Sequence, residues 1–478
     1  MVAGKDVCLR RLSKGDRALE VRFNRFLGND KVTTERIIES WSESTVAAVA
    51  GRHVLAIQDT SEIHFNTTPR RRRALGEIGK GNHHGVLLHP MLAVDADNGT
   101  CLGLVSGEIW TRKGRRTVSH DRRELSDKES QRWVSNVVAA KPRLAGAARV
   151  TVLGDRESDI FAFYASAAGQ RFHVITRSMH DRKLTDSAGL YAASDAIAAA
   201  ERRDVQLPAR AQRPARSARL ELRFGAIKLA RPQTKSLHHL PTSLPLTVVD
   251  VREVNIAPGV EPLHWRLLTS HEVAGTEDAW RIVEWYKQRW IIEQFFRVLK
   301  TQGFKLEDSQ LGTADRLLKL VAIAAKAAVI TIQLLQARHG GQQSVHMVFT
   351  ANEIAALTVL NQTLEARTKR LKNPHPPDNL AWATWIIGRL GLGRLSIVQA
   401  TRPNHLEKRP RILPCRRDRL EPQRYVHALV RSQGRHRVRG LSPFDMACTR
   451  SLCAARTREI QEWTRIRSRR HWRGAPGH

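Results

Sequence analysis

Two acidic residues of this chain stand where packing alone gives no reason for them. Asp59 closes the apolar run Val54-Leu-Ala-Ile-Gln-Asp-Thr, and Asp155 closes Val150-Thr-Val-Leu-Gly-Asp-Arg, so each lies at or just past the end of a buried strand. Ionised carboxylates avoid such surroundings unless they are paired or metal-bound. Taken singly, either residue is also what a turn or a helix cap would use. A third acid, Glu293, sits in Tyr286-Lys-Gln-Arg289-Trp-Ile-Ile-Glu293-Gln-Phe-Phe-Arg-Val-Leu-Lys300. At about 100° of rotation per residue, Tyr286, Arg289, Glu293 and Lys300 share an arc of roughly 60°, with Arg297 at its margin. Trp285, Ile291, Ile292, Phe295, Phe296, Val298 and Leu299 fill the opposite arc and anchor the helix to a core. By itself the polar stripe reads as a solvated face with an Arg289–Glu293 pair, worth a few tenths of a kcal/mol. A tyrosine and two or three cations around one acid equally suit a carboxylate that lies beside phosphates.

Three carboxylates make chemical sense together when the substrate is a phosphodiester. Two magnesium ions about 3.5 to 4 Å apart activate the attacking oxygen and stabilise the leaving one, and such hard cations take oxygen ligands. In that arrangement Asp59 would bridge both ions, while Asp155 and Glu293 would each complete one. Mn2+ is an acceptable substitute for Mg2+.

The elements that must position these residues follow a readable order. Apolar runs at 54–57, 87–94 and 102–110, a helix near 131–140, a strand at 150–153, a second helix and a strand at 172–175 predict a mixed sheet covered by helices. Short alternating runs from about 180 to 270 read as a mostly β insertion. Helices are expected near 278–301, 314–337, 351–368 and 379–390, the first starting by Thr276 with Glu277 and Asp278 at the positive end of its dipole. Residues 1–50 read as helical, with Thr33 or Thr34 as a cap.

Composition narrows the partner. The chain has 478 residues, 41% of them apolar, enough for a buried core without disulfides. A formal net charge of +33 points to a polyanion, with nucleic acid first among candidates. The one membrane-like stretch, 317–335, carries Lys319 and Lys326 and reads instead as an Ala-rich buried helix, so no membrane partner is expected. The opening residues carry no secretory signal, and Cys8, Cys101, Cys415, Cys448 and Cys453 show no zinc-ligand spacing, which fits a reducing cytoplasm.

On these residues the chain resembles the DDE transposases of bacterial insertion sequences, in the subgroup whose glutamate lies in a Tyr-x2-Arg-x3-Glu-x6-Lys signature. Tyr286, Arg289, Glu293 and Lys300 match that signature at every spacing. The likeness extends through Asp59-Thr60-Ser61, Lys128-Glu129-Ser130 with Trp133, and Asp155-Arg156-Glu157-Ser158-Asp159. It continues through Arg171-Phe172 to Arg177-Ser178, Leu263 to Ser270, and Asn379 to Gly391, about residues 15 to 392 in all.

The resemblance implies an RNase H-like catalytic core with the β-rich insertion between its last strand and the Glu-bearing helix, flanked by helical N- and C-terminal regions. Its parts would be 1–50, a truncated helical DNA-binding region; 51–180 and 271–345, the two halves of the core; 181–270, the insertion; and 346–393, a helical dimerisation region. It implies a cut-and-paste enzyme, bacterial and nucleoid-associated. Acting as a homodimer on double-stranded DNA, it would nick transposon ends, form and reopen a hairpin, and join the ends to target DNA. Trp265 would stack a flipped base, with a core tryptophan as the alternative. Arg177, Tyr286, Arg289 and Lys300, joined by Arg156 and Arg297, would bind phosphates near the cut, whereas Arg70 to Arg73 read as a surface charge run.

Two departures from the pattern bear on activity. The chain is expected to begin partway through the leading domain. After about Gly393, where the family has a Trp-containing helix, residues 394–478 hold 20 arginines and one lysine with no sustained period, a tail read as a DNA-wrapping arm, as disordered, or as the product of a shifted frame. The alternative readings are an inactive or repurposed copy that binds DNA or dimerises without catalysis, and a nuclease of the same fold that never joins strands.

Overall fold

The leading helices, the apolar runs and the Ala-rich segment all find their place around one sheet. The computed structural model describes residues 1–2, 6–65, 74–79, 83–112, 129–186, 188–207, 215–256, 259–301, 303–338, 340–365, 368 and 372–392, all within one compact unit, Met1–Val398. Arg70 to Arg73, Lys128 and the tail 394–478 lie outside the described residues.

Four short helices come first: α1 (Leu9–Leu12), α2 (Arg17–Leu27), α3 (Thr34–Glu39) and α4 (Glu43–Ala48). Thr33 caps α3 by accepting the Arg36 N–H at 3.3 Å. Strands β1 (His53–Gln58), β2 (Ser61–Phe65), β3 (Gly76–Glu77), β4 (His84–Asp95) and β5 (Cys101–Trp110) follow. Then come α5 (Gln131–Ala140), β6 (Arg149–Gly154), α6 (Phe161–Ala167), β7 (Phe172–Arg177) and α7 (Leu190–Ala196). β8 (Glu201–Leu207), β9 (Arg216–Ala230), β10 (Ser243–Val254) and β11 (His264–Thr269) form a meander. The chain closes with α8 (Thr276–Lys287), α9 (Trp290–Lys300), α10 (Ala314–Ala337), α11 (Ala351–Leu364) and α12 (Leu380–Ile387).

All the described strands join one mixed sheet of order β2-β4-β1-β6-β7-β11-β10-β9-β8, with β3 and β5 also pairing with β4. β1, β6 and β7 run parallel to one another, and the remaining pairings are antiparallel. The parallel trio is buried on both faces, which is why its sequence reads as continuous apolar runs. Leu55, Ile57, Leu153 and Ile175 pack with α8, α9 and α10, while Val54, Ala56, Val150 and Val152 pack with α5 and α6 on the other side. The meander expected as an insertion continues the sheet: β11 hydrogen-bonds to β7, with Leu267 opposite Arg177.

α10 is long and apolar enough to span a membrane, yet it is mostly buried within this fold. Its two lysines explain how: Lys319 donates to the Leu27 and Asn29 carbonyls, both at 3.2 Å, and Lys326 to the Trp41 carbonyl at 2.8 Å. Trp41, wholly buried, returns a bond from its indole N–H to the Ala322 carbonyl at 3.0 Å. The leading helices are thereby tied to the centre of the molecule. At the starting edge of the parallel strands, His53 Nε2 and His271 Nε2 each lie 2.8 Å from the Thr151 hydroxyl, and His173 stacks on His271.

Candidate active site

The sheet brings the two aspartates level. β1 and β6 pair with Ile57 opposite Leu153, and β6 and β7 with Leu153 opposite Ile175. Two residues further along each strand stand Asp59, Asp155 and Arg177, on the face that α8 and α9 cover. Side chains two apart share a face of a strand, and neighbouring strands lie about 4.8 Å apart. The ladder stops at Gln58 and Gly154, so both aspartates sit at the mouth of the parallel strands.

Glu293 arrives from α9. The single helix expected over 278–301 is two: α8 ends at Lys287, α9 starts at Trp290, and 288–289 form a tighter turn. There the N–H groups of Gln288, Arg289, Ile291 and Ile292 bond three residues back, to Trp285, Tyr286, Gln288 and Arg289. Such a 3₁₀ turn brings residues three apart into line, so Tyr286 stays beside Arg289. It is buried, 6% exposed, while Arg289, Glu293, Arg297 and Lys300 are half-buried. The apolar arc from Ile291 to Leu299 packs into the core.

One guanidinium joins the helix to the strand. Arg289 donates to Asp59 Oδ2 at 3.0 Å and to Glu293 Oε1 at 2.7 Å. Burial, and next the charge of Asp155, push the Asp59 carboxyl up to about 7, against the pull of Arg289. Burial works to lower the Arg289 pKa, but Tyr286, Asp59, Glu293 and Asp155 together hold it raised. Tyr286 is pushed up to about 12 by burial, opposed by Arg289 and Arg177. Arg177 is lowered by burial and by nearby Arg156, and donates to the His264 carbonyl at 2.6 Å. Trp265, half-buried, meets the Tyr286 ring edge-on at 5.3 Å.

Of the remaining sequence candidates, Arg297 and Lys300 lie further along α9, and Arg156 lies at the edge of the cluster. Lys300, at the far end of α9, has its pKa lowered by burial against the opposing charges of Glu307 and Glu62. Arg297 lies over the Trp290 ring at 4.9 Å. Arg156 is exposed beside Asp155.

Behind Asp59 lies a buried polar chain that sequence reading missed. Thr60 Oγ1 lies 2.8 Å from His89 Nδ1, His89 Nε2 is 3.1 Å from Gln58 Oε1, and Asn136 Nδ2 donates to Gln58 Oε1 at 3.2 Å. Gln58 and His89 are fully buried. Gln58 interrupts an apolar strand directly before Asp59, the only signal in sequence that could have flagged it.

The donor set of Asp59, Asp155 and Glu293 is all hard oxygen, which suits a divalent cation such as Mg2+. Arg289 is a stand-in for that positive charge, bridging two of the three acids. Asp155 meanwhile accepts the Glu157 N–H at 2.8 Å. Among the described residues, no group of three or more His, Cys, Asp or Glu side chains is spaced to hold a metal ion.

A family model described as "Transposase DDE domain" matches residues 59–330, a span that starts at Asp59 and includes Asp155 and Glu293. A solved structure titled as a cryo-EM structure of a piggyBac transposase synaptic complex with hairpin DNA is similar at 12% identity and a TM-score of 0.33. That similarity covers 68% of this chain and 57% of the other, so this chain spans little more than half the length of the one it matches.

Proposed function

This chain belongs to the family of transposases with a DDE domain, and from that premise we propose that it cuts DNA at the ends of a mobile element and joins them to target DNA. Asp59, Asp155 and Glu293 are the catalytic acids on this reading, within a core of RNase H-like type. The observation that carries it is the Arg289 guanidinium, which holds Asp59 of the strand mouth and Glu293 of the distant helix at once. A bound Mg2+ pair would supply a lowered pKa for the attacking hydroxyl and charge stabilisation at phosphorus.

The chain's own groups do the rest. Asp59 must shed its proton before it can act as a ligand, and Arg289 is placed to favour that. Once DNA arrives, Arg289, Arg177 and Arg156 supply cations for phosphates at the mouth, with Arg297 and Lys300 further along α9. Trp265 offers an aromatic face for an unstacked base, worth about 1 to 3 kcal/mol, in support of a hairpin step. Two copies on paired ends complete the proposed assembly.

The test incubates the purified chain with Mg2+ and DNA carrying any inverted repeats that bracket its gene. Expected are metal-dependent cleavage and joining through a 3′-hydroxyl, with loss of both by on the order of 10³-fold in Glu293→Ala. Cleavage without joining would assign a nuclease. Tight DNA binding with no cleavage would favour a non-catalytic copy. Cleavage undiminished in Glu293→Ala would overturn the site.

A further inference from the structure

We propose that Arg132, on α5, is a positioning residue that sets the spacing of Asp59 and Asp155 by gripping the segments that follow them. The inference rests on the metal-dependent reading of the site given above. Its basis is a hydrogen-bonded path with one guanidinium at its centre. Arg132 Nε donates to Thr60 Oγ1, Nη2 to Glu157 Oε2 and Nη1 to the Glu129 carbonyl, each at 2.7 Å. The Thr60 N–H donates to Asp59 Oδ1 at 2.7 Å, and the Glu157 N–H to Asp155 Oδ1 at 2.8 Å. Each arm of Arg132 therefore holds the side chain of a residue whose backbone N–H bonds to one of the two carboxylates.

The need for such a clamp follows from where the strands stop. Up to Ile57 and Leu153 the β1–β6 ladder fixes the separation of the two strands, which end one residue later at Gln58 and Gly154. Past those residues backbone pairing no longer does so, and the acids sit one step beyond. Arg132 bridges that gap from the opposite side of the sheet edge. Its side chain is 11% exposed and that of Glu157 61%, so water competes chiefly on the Glu157 arm. A planar fork suits three diverging acceptors in a way that a lysine ammonium does not. The clamp is anchored in turn, because the Thr60 hydroxyl that it holds also bonds to buried His89.

Mn2+ titration of the full chain without DNA, by calorimetry, tests the clamp apart from catalysis. Arg132→Gln is expected to weaken Mn2+ binding by about 10- to 100-fold, as loss of a group that orients metal ligands does. Arg132→Lys should restore part of this, since an ammonium can hold one arm. Glu157→Ala should lose part, and the Arg132→Gln/Glu157→Ala double variant should bind no more weakly than Arg132→Gln, as members of one path are non-additive. A folded Arg132→Gln that binds Mn2+ like the wild type, while Asp155→Asn does not, overturns the clamp and leaves the site standing. If Asp155→Asn also binds like the wild type, the metal-site reading fails and the clamp with it. Should Arg132→Gln not fold, Thr60→Ala and Glu157→Ala decide: unchanged Mn2+ binding in both overturns the proposal.

Discussion

A carboxyl group buried beside another carboxylate keeps its charge at neutral pH only with help from a cation. Asp59 shows this, with its pKa pushed to about 7 by burial and Asp155 and restrained by Arg289. In Arg289→Gln the restraint is gone, so the pH at which Mn2+ begins to bind should move upward; calorimetric titrations from pH 6 to 9 would read the shift, and an unchanged profile would refute it. The same perturbation has a signature in stability. A carboxyl raised from 3.8 is penalised once it ionises, so its contribution to metal-free stability declines as pH rises from about 4 to about 7. Asp59→Asn should be more stable than the metal-free wild type at pH 8, by roughly 1 to 3 kcal/mol, and no more stable near pH 4, as denaturant melts at the two pH values would report. The three acids stood out in sequence because each interrupts or flanks an apolar pattern. The Arg289–Glu293 pair was visible too, being one helical turn long. Its second partner, Asp59, is 230 positions away, and neither it nor the Thr60–Arg132–Glu157 path follows from any local period.

Elements were legible where both faces of a strand are buried. The run read at 150–153 is β6 (Arg149–Gly154), that at 172–175 is β7 (Phe172–Arg177), and the helix near 131–140 is α5 (Gln131–Ala140). The break between α8 and α9 was not legible, because no glycine or proline marks it and both intervening residues keep right-handed helical angles. It is a local change of hydrogen-bond pattern, with N–H groups at 288–292 bonding three residues back instead of four. Nor could sequence show that the meander β8–β11 joins the core sheet, since alternating strands read alike whether they pair with it or stand apart. The docking of the leading helices makes a prediction at this scale. Trp41→Ala removes a wholly buried indole and its bond to Ala322, and should destabilise the protein by about 3 to 5 kcal/mol, measured by denaturant unfolding. A cost under about 1 kcal/mol would mean that these helices are a detachable appendage.

For the molecule as a whole, the sheet separates two chemistries at opposite ends of the same strands. The acids gather at one end and His53, His173 and His271 at the other. Burial lowers His53 to about 4 and His271 to about 2, with the charge of neighbouring Arg149 and histidines adding to it. Groups lowered from 6.5 contribute stability that is present above that pH and lost as pH falls toward the folded values, because the unfolded chain takes up protons first. Thermal melts should therefore fall between pH 6.5 and pH 4.5, and less steeply in His271→Gln. A net charge of +33 sets a second expectation, that binding to duplex DNA weakens steeply as salt rises from 50 to 200 mM, by a factor on the order of 10³ or more.

The meander has one more consequence, which concerns timing. It stands between Asp155 and Glu293 in the order in which a ribosome makes the chain, yet in space it extends outward from β7, leaving α9 to return to β1. A nascent or prematurely stopped product that ends within β9 or β10 already owns both aspartates and lacks the glutamate. On the proposed chemistry such a fragment is mute, so a half-made copy cuts no element end.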